Sequence, residues 1–237
     1  MKPIEQLTTS VLSKIPDIAS VDALRNCSRC GVPTFTRENA LDVFCKTCIS
    51  EIESEKQLRS AEKLKEAWER ICPPIHKQTE IEKLPNREAS NSALAWKFNE
   101  RGLLLHGQTG TGKSRTAWLI LKAAHFDGKK ILVLNSASAI RYAAIFSTST
   151  ADAEKWIDRH ANVDVLFMDD AFKVKLTESY EAALFAVIDS RMENLRPIIA
   201  TMNDTGETLA GRMSQDRGAA MVRRLDRKST RLNSSHT

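Results

Sequence analysis

The chain has 237 residues, 42% of them hydrophobic and 27% charged, with a formal net charge of +5, which allows one mid-sized folded domain plus a small module. Its longest apolar runs, such as ILVL and VLFM, are far too short to span a bilayer. No apolar leader core follows MKPIEQLTTS, so a cytoplasmic location is expected. The cationic excess points to no partner: Asp226, Arg227, Lys228 and Arg231 supply +2 of it, the rest of the chain only +3, and no block of like charge offers a nucleic-acid footprint.

Residues 1–25 are predicted as an N-terminal helical segment, with apolar positions at Ile4, Leu7, Val11, Leu12, Ile15 and Ile18. Residues 26–50 form a cysteine module. Its text, CSRCGVPTFTRENALDVFCKTC, holds two Cys-x2-Cys pairs, Cys27 with Cys30 and Cys45 with Cys48, separated by fourteen residues. Each pair can sit on a tight turn that brings two thiolates to one ion, and two such turns complete a tetrahedron; Gly31 directly after Cys30 suits the first turn. A structural four-cysteine zinc site is expected. Disulfides do not suit a cytoplasmic protein, and Cys72 is left as a plain thiol. Helix-forming text runs from Ser50 to Ile71 and Pro73-Pro74 stops it, giving a helical linker over 51–73.

From about Gly102 the text alternates between strand and helix: GLLLHG, a helix from Lys113, KKILVLN, helical text from Ala137 to about Ile145, VDVLFMDD, a helix around Glu178–Leu195, and PIIATMN. Short Val/Ile/Leu-rich runs separated by helices indicate a parallel sheet covered on both faces, and so an α/β core over 74–225.

Three stretches of that core carry chemistry. GQTGTGKS, comprising Gly107, Gln108, Thr109, Gly110, Thr111, Gly112, Lys113 and Ser114, fits the phosphate-loop pattern between a strand and a helix. Its backbone N–H groups and the helix N-terminus suit phosphates, Lys113 suits the β- and γ-phosphates of ATP, and the Ser114 hydroxyl suits Mg²⁺. VDVLFMDD ends a buried strand in two acids. Asp169 is expected to hold Mg²⁺ through water, and Asp170 to polarise the attacking water. RPIIATMND ends a further strand at Asn203, whose side chain is placed for the γ-phosphate or the water, with Thr201 one pleat back as a second candidate.

With these residues in hand, the chain resembles the AAA+ ATPases of the DnaC/IstB helicase-loader type, and within it the phage and prophage members that carry an N-terminal zinc module. The matching text is GLLLHGQTGTGKS, VLFMDDAFKVKLTE, RPIIATMND and DRGAAMVRRL, and the resemblance covers roughly Trp68 to Leu225. It implies an ATP-hydrolysing protein of DNA replication with a replicative helicase and single-stranded DNA as partners. It also implies that Asn203 is the sensor at the strand tip, and that an arginine in the RRL segment reaches the nucleotide of a neighbouring subunit in a head-to-tail homo-oligomer. Arg224 is the first choice for that arginine, with Arg223 and Arg217 behind it. A transposition helper ATPase of the IstB kind and a non-hydrolysing nucleotide-gated adaptor are the alternatives; Asp170 is shorter than the Glu many relatives carry.

Such relatives continue after RRL into a last strand beside the phosphate-loop strand. Here the text turns to DRKSTRLNSSH, and Asp226 to His236 back-translate into a widely used short-read library adapter. Residues 226–237 are therefore expected to be foreign to the protein, to lie apart from the core, and to leave the sheet truncated before its last strand.

Overall fold

The computed structural model describes residues 22–37, 41–98, 102–146, 149–170, 172–173, 177–203, 220–221, 224 and 229–233. The chain divides into two units, one up to Lys63 and one from Leu64.

In the first unit, strands β1 (Asp22–Asn26) and β2 (Pro33–Arg37) pair antiparallel, with Asp22 opposite Arg37 and Asn26 opposite Pro33. The turn between them holds Cys27 and Cys30. The Cys27 N–H donates to the Val32 carbonyl at 2.9 Å and closes the hairpin. This corrects the end of the predicted N-terminal helix: residues 22–25 are strand, because the cysteine turn folds DALRN back against PTFTR. Residues 1–21 lie outside the described residues. Helix α1 (Lys46–Ile71) starts in this unit and continues into the second, so its first turn, and not only a later linker, carries Cys48.

The second unit opens with the short helix α2 (Pro74–Lys77), a 3₁₀ turn (Ile81–Lys83) and α3 (Arg87–Leu94), whose N-terminus is capped by the Asn86 side chain accepting from Ala89 N–H at 3.0 Å. There follow β3 (Gly102–His106), α4 (Lys113–Phe126), β4 (Ile131–Asn135), α5 (Ser136–Phe146), α6 (Thr150–Asn162), β5 (Val165–Asp169), α7 (Glu178–Glu193), β6 (Ile198–Met202) and β7 (Ser229–Asn233). The strands form one parallel sheet in the order β4-β5-β6-β3-β7.

The strands read as continuous apolar runs because both faces are covered. Leu103 and Leu105 join Phe167, Ile199, Leu121 and Trp118 on one face; Leu104 joins Leu166, Met168, Leu184 and Trp156 on the other. Helix α6 has no counterpart among the predicted elements. It begins at Ser149, whose side chain accepts from Asp152 N–H at 3.2 Å, and it buries Trp156 and His160.

The expected bare edge of β3 is also corrected. β7 pairs with it from Gly102 opposite Ser229 to His106 opposite Asn233, so residues 229–233 do not lie apart from the core. The reason is in the edge: β3 presents unpaired backbone N–H and C=O groups on that side, and an extended segment satisfies them whatever its side chains. Among the described residues, no helix is long and apolar enough to cross a membrane.

Candidate nucleotide site and metal centre

All five strands are parallel, so their C-terminal ends open on one side of the sheet. From the end of β3 the connection leaves towards β4, and from the end of its neighbour β6 it leaves the other way, towards β7; a ligand site is expected at such a switch point. Three tips meet around one cavity of about 600 Å³, whose lining includes Thr109, Gly110, Gly112, Lys113 and Ser114 after β3, Asp170 and Lys173 after β5, and Asn203 after β6.

The loop after β3 is shaped by its glycines. Gly112 sits at φ +86° as the residue before α4, and a Cβ there would come within 3.0 Å of Pro85 Cδ, so conformation and close approach both require glycine. Helix α4 starts without a side-chain cap and with no acid in its first turn. Its leading N–H groups are left for an anion, which the helix dipole favours. Lys113 is mostly buried, and its Nζ donates to the carbonyls of Gly107 at 2.9 Å and Gln108 at 2.7 Å. Burial pulls its pKa down, while the charges of Asp170 and Asp169 oppose that. A bound phosphate would take the place of the two carbonyls and restore full charge compensation to the ammonium.

The acids are held by a short network. Asp169 Oδ1 accepts from the Ser114 hydroxyl at 2.8 Å and from the Thr201 hydroxyl at 2.7 Å. With Oδ1 taken by two donors, Oδ2 is left for a metal-bound water, and the Ser114 oxygen keeps its lone pairs for the metal itself. That donor set fits Mg²⁺, which retains several waters and takes few protein ligands. Thr201 is wholly buried. It was a candidate for the γ-phosphate, and the structure corrects this: its side chain faces the two acids and fixes them.

Asp170 lies at φ +49°, in the left-handed region that Asp and Asn enter more readily than other residues. Backbone contacts hold it there, among them its N–H to the Thr201 carbonyl at 3.3 Å. Its N–H donates to Thr201 Oγ1 at 3.1 Å, and its carbonyl accepts from Ser136 Oγ at 2.7 Å and from Lys173 N–H at 3.0 Å. The strained backbone turns the carboxylate into the cavity, where Asn203 Nδ2 donates to Oδ2 at 3.2 Å. Burial, and then the Asp169 charge, push the Asp170 pKa up, the direction a general base needs.

Sequence reasoning thus found the phosphate loop, Asp169, Asp170 and Asn203, and the structure brings them together. It missed His76, Lys83, Pro85, Arg115 and Lys173 on the cavity wall. None of these carries a motif; only the arrival of the α2–α3 segment and the loop after β5 places them. Arg224 is elsewhere on the same chain, its Nε donating to Asp189 Oδ1 at 2.6 Å with the guanidinium 4.4 Å over the Phe185 ring. Arg217 and Arg223 lie outside the described residues.

In the first unit, Cys27, Cys30, Cys45 and Cys48 place their sulfurs within 4.8 Å of one another, and Cys30 and Cys45 are 3.6 Å apart. A tetrahedral zinc with bonds of about 2.3 Å sets its sulfurs roughly 3.8 Å apart, so the cluster fits the ion. Both turns are built for it: Gly31 N–H donates to the Cys27 carbonyl at 2.9 Å with Gly31 at φ +76°, and Cys45 N–H donates to Cys27 Sγ at 3.3 Å. That last contact is the main cause of the Cys27 pKa falling to about 6, while burial and the neighbouring thiols push Cys48 up, so a single thiolate is favoured in the metal-free cluster. All four donors come from protein, the arrangement that structural zinc sites use.

An IstB-like ATP binding protein family matches residues 54–233, well over half of the chain. Among solved structures, DnaI matches at 18% identity and a TM-score of 0.55, over 70% of this chain and 93% of that one. The DnaC helicase loader matches at 21% and 0.50, over 62% and 85%. The replication initiator DnaA bound to AMPPCP and single-stranded DNA matches at 15% and 0.52, over 64% of this chain; this chain spans 46% of that one. No curated protein sequence matches. These structures share the fold, and the matched residues 54–233 include the phosphate loop between β3 and α4. The chain belongs to the IstB-like ATP-binding family and has the AAA+ fold.

Proposed function

We propose that this protein binds ATP with Mg²⁺ and hydrolyses it, and that the cycle controls the handling of a replicative helicase on single-stranded DNA. The observation that carries the hydrolytic part is the positioning of Asp169 and Asp170 opposite the phosphate loop by Thr201 and Ser136, with Asn203 donating to the Asp170 carboxylate. Mg²⁺ would be held by Ser114 directly and by Asp169 through water, and would supply charge neutralisation between the β- and γ-phosphates. Lys113 holds the phosphates. Asp170 accepts a proton from the attacking water as the water oxygen bonds to the γ-phosphorus and the bond to the ADP oxygen breaks. Asn203 holds Asp170 in line.

The helicase and DNA parts rest on the fold shared with the DnaC loader and with DnaA bound to single-stranded DNA. Arg224, once released from Asp189, would serve a neighbouring subunit's nucleotide in a head-to-tail assembly. A transposition helper is the second reading, favoured by the family match itself.

Phosphate release by wild-type protein, Lys113→Ala and Asp170→Asn tests the proposal, each with and without single-stranded or duplex DNA. Lys113→Ala should lose nucleotide binding. Asp170→Asn should keep binding and lose turnover by roughly 10²–10⁴-fold, the usual contribution of a general base. Nucleotide binding without turnover in the wild type would support the non-hydrolysing adaptor instead. Stimulation by duplex DNA alone would favour the transposition reading.

A further inference from the structure

We infer that Lys173 binds the γ-phosphate in cis, from the same chain that supplies the phosphate loop; this rests on the ATP-site reading above. Four cations line the cavity: Lys83, Lys113, Arg115 and Lys173. Lys83 is paired with Glu80 at 2.8 Å, and Lys113 is committed to the loop at the start of α4. Arg115 follows Ser114 on the helix, and its charge acts on His76, at the wall formed by the α2–α3 segment.

Lys173 is the cation of the acid-bearing loop. Its N–H donates to the Asp170 carbonyl at 3.0 Å, closing a turn from the strained Asp170, and the buried Phe172 beside it pins that turn to the core. The side chain is exposed, and among the described residues no carboxylate forms an ion pair with it. Its charge, with that of Lys113, is what Asp170 feels among the cavity cations. It therefore stands at the end of the cavity where Asp170 and Asn203 converge, which is where the γ-phosphate must sit for Asp170 to reach the attacking water.

The placement has a consequence for assembly. Arg224 is occupied by Asp189 and Phe185 within its own chain. A cis lysine lets a single chain distinguish ATP from ADP before any neighbour contributes a cation.

The test compares affinities for AMPPCP and ADP, and single-turnover ATP hydrolysis, across protein concentration, for wild type, Lys173→Ala and Lys173→Arg. Lys173→Ala should bind AMPPCP on the order of tenfold more weakly, as expected for one charge-assisted contact, and bind ADP as the wild type does. Its hydrolysis should fall at every protein concentration, and Lys173→Arg should recover the preference for AMPPCP. An AMPPCP-to-ADP affinity ratio unchanged in Lys173→Ala would overturn the inference while leaving the ATP-site reading intact. Equal losses for both nucleotides would mean a structural role and also overturn it. Absence of nucleotide binding by the wild type would sink both.

Discussion

Thr201 lies at the centre of the sheet with no solvent contact, yet it sets the geometry of both acids, accepting from Asp170 N–H and donating to Asp169. A linear sequence shows that Asp169 and Asp170 end a strand, but not that a hydroxyl opposite Asp169 on the neighbouring strand fixes them. Motif residues are legible because phosphate chemistry dictates both type and spacing; Thr201, Ser136, His76 and Lys173 depend on which tips the sheet brings together. His160 is equally invisible in advance. Its ring stacks on Trp156 at 4.1 Å between centroids, and its Nδ1–H donates to the Trp156 carbonyl at 2.8 Å. Burial first, then the positive charges of Arg159 and Arg191, pull its pKa from 6.5 to about 4. Because the unfolded chain binds the proton more readily, the stabilisation is fully present above pH 6.5 and is lost as pH falls towards about 4. The whole effect is at most about 3 kcal/mol. Denaturation between those limits should show a shallower pH slope in His160→Gln than in the wild type. Some slope should persist, since burial depresses His76 in the same direction; identical slopes would contradict the assignment.

At the scale of elements, the β1–β2 hairpin of the cysteine module and α6 failed to appear among the predicted elements for opposite reasons. The strands DALRN and PTFTR have no apolar alternation, and Leu24 and Phe35, which face each other across the hairpin, are largely exposed. This hairpin has almost no core, so its shape follows from the cysteines. Helix α6 did carry a signal, Ser149 three residues before Asp152 with Trp156, Ile157 and His160 on one face, and a reading that stops at Ile145 passes over it. Its C-terminal end is then tied down by Arg191 of α7, a buried guanidinium that donates to the carbonyls of His160, Val163 and Pro197 at 2.8, 2.8 and 2.7 Å. One side chain thereby fixes the starts of β5 and β6, and through them the acids. In the cysteine module the corresponding tie is exposed: Arg29 of the first turn donates to Glu55 of α1 at 2.6 Å. Removing the metal with a chelator, or replacing Cys48 by Ser, should unfold the cysteine module while the second unit keeps its melting transition, because structural zinc supplies folding free energy directly. Elemental analysis should find one zinc per chain. A fold of the module insensitive to chelation, read from amide exchange, would refute the site.

For the molecule as a whole, the parallel order β4-β5-β6-β3-β7 matters because β3, the strand that launches the phosphate loop, is flanked on both sides. On one side β6 offers Ile198–Met202, an apolar run. On the other, β7 reads STRLN, in which Leu232 is the one apolar residue. That composition is why the sequence read as foreign text and not as a strand: no propensity marks it, and only the unpaired edge of β3 gives it a place. Backbone pairing alone can supply modest stability, since each net hydrogen bond contributes about 1 kcal/mol and ordering each residue costs a comparable amount. The two nearly cancel, so deleting residues 226–237 should lower stability by at most about 1 kcal/mol, or roughly 3 °C in melting temperature for a domain of this size. The deletion should also leave β3 as an open edge beside Leu103, Leu104 and Leu105, so light scattering should detect self-association. Replacing STRLN with a Val/Ile-rich strand of the same length should raise the melting temperature above that of the starting chain, because β-branched apolar residues favour a strand in a covered sheet. If the deletion changes neither melting nor association, β7 contributes nothing to the fold, and residues 226–237 behave as the appended segment their coding text suggests.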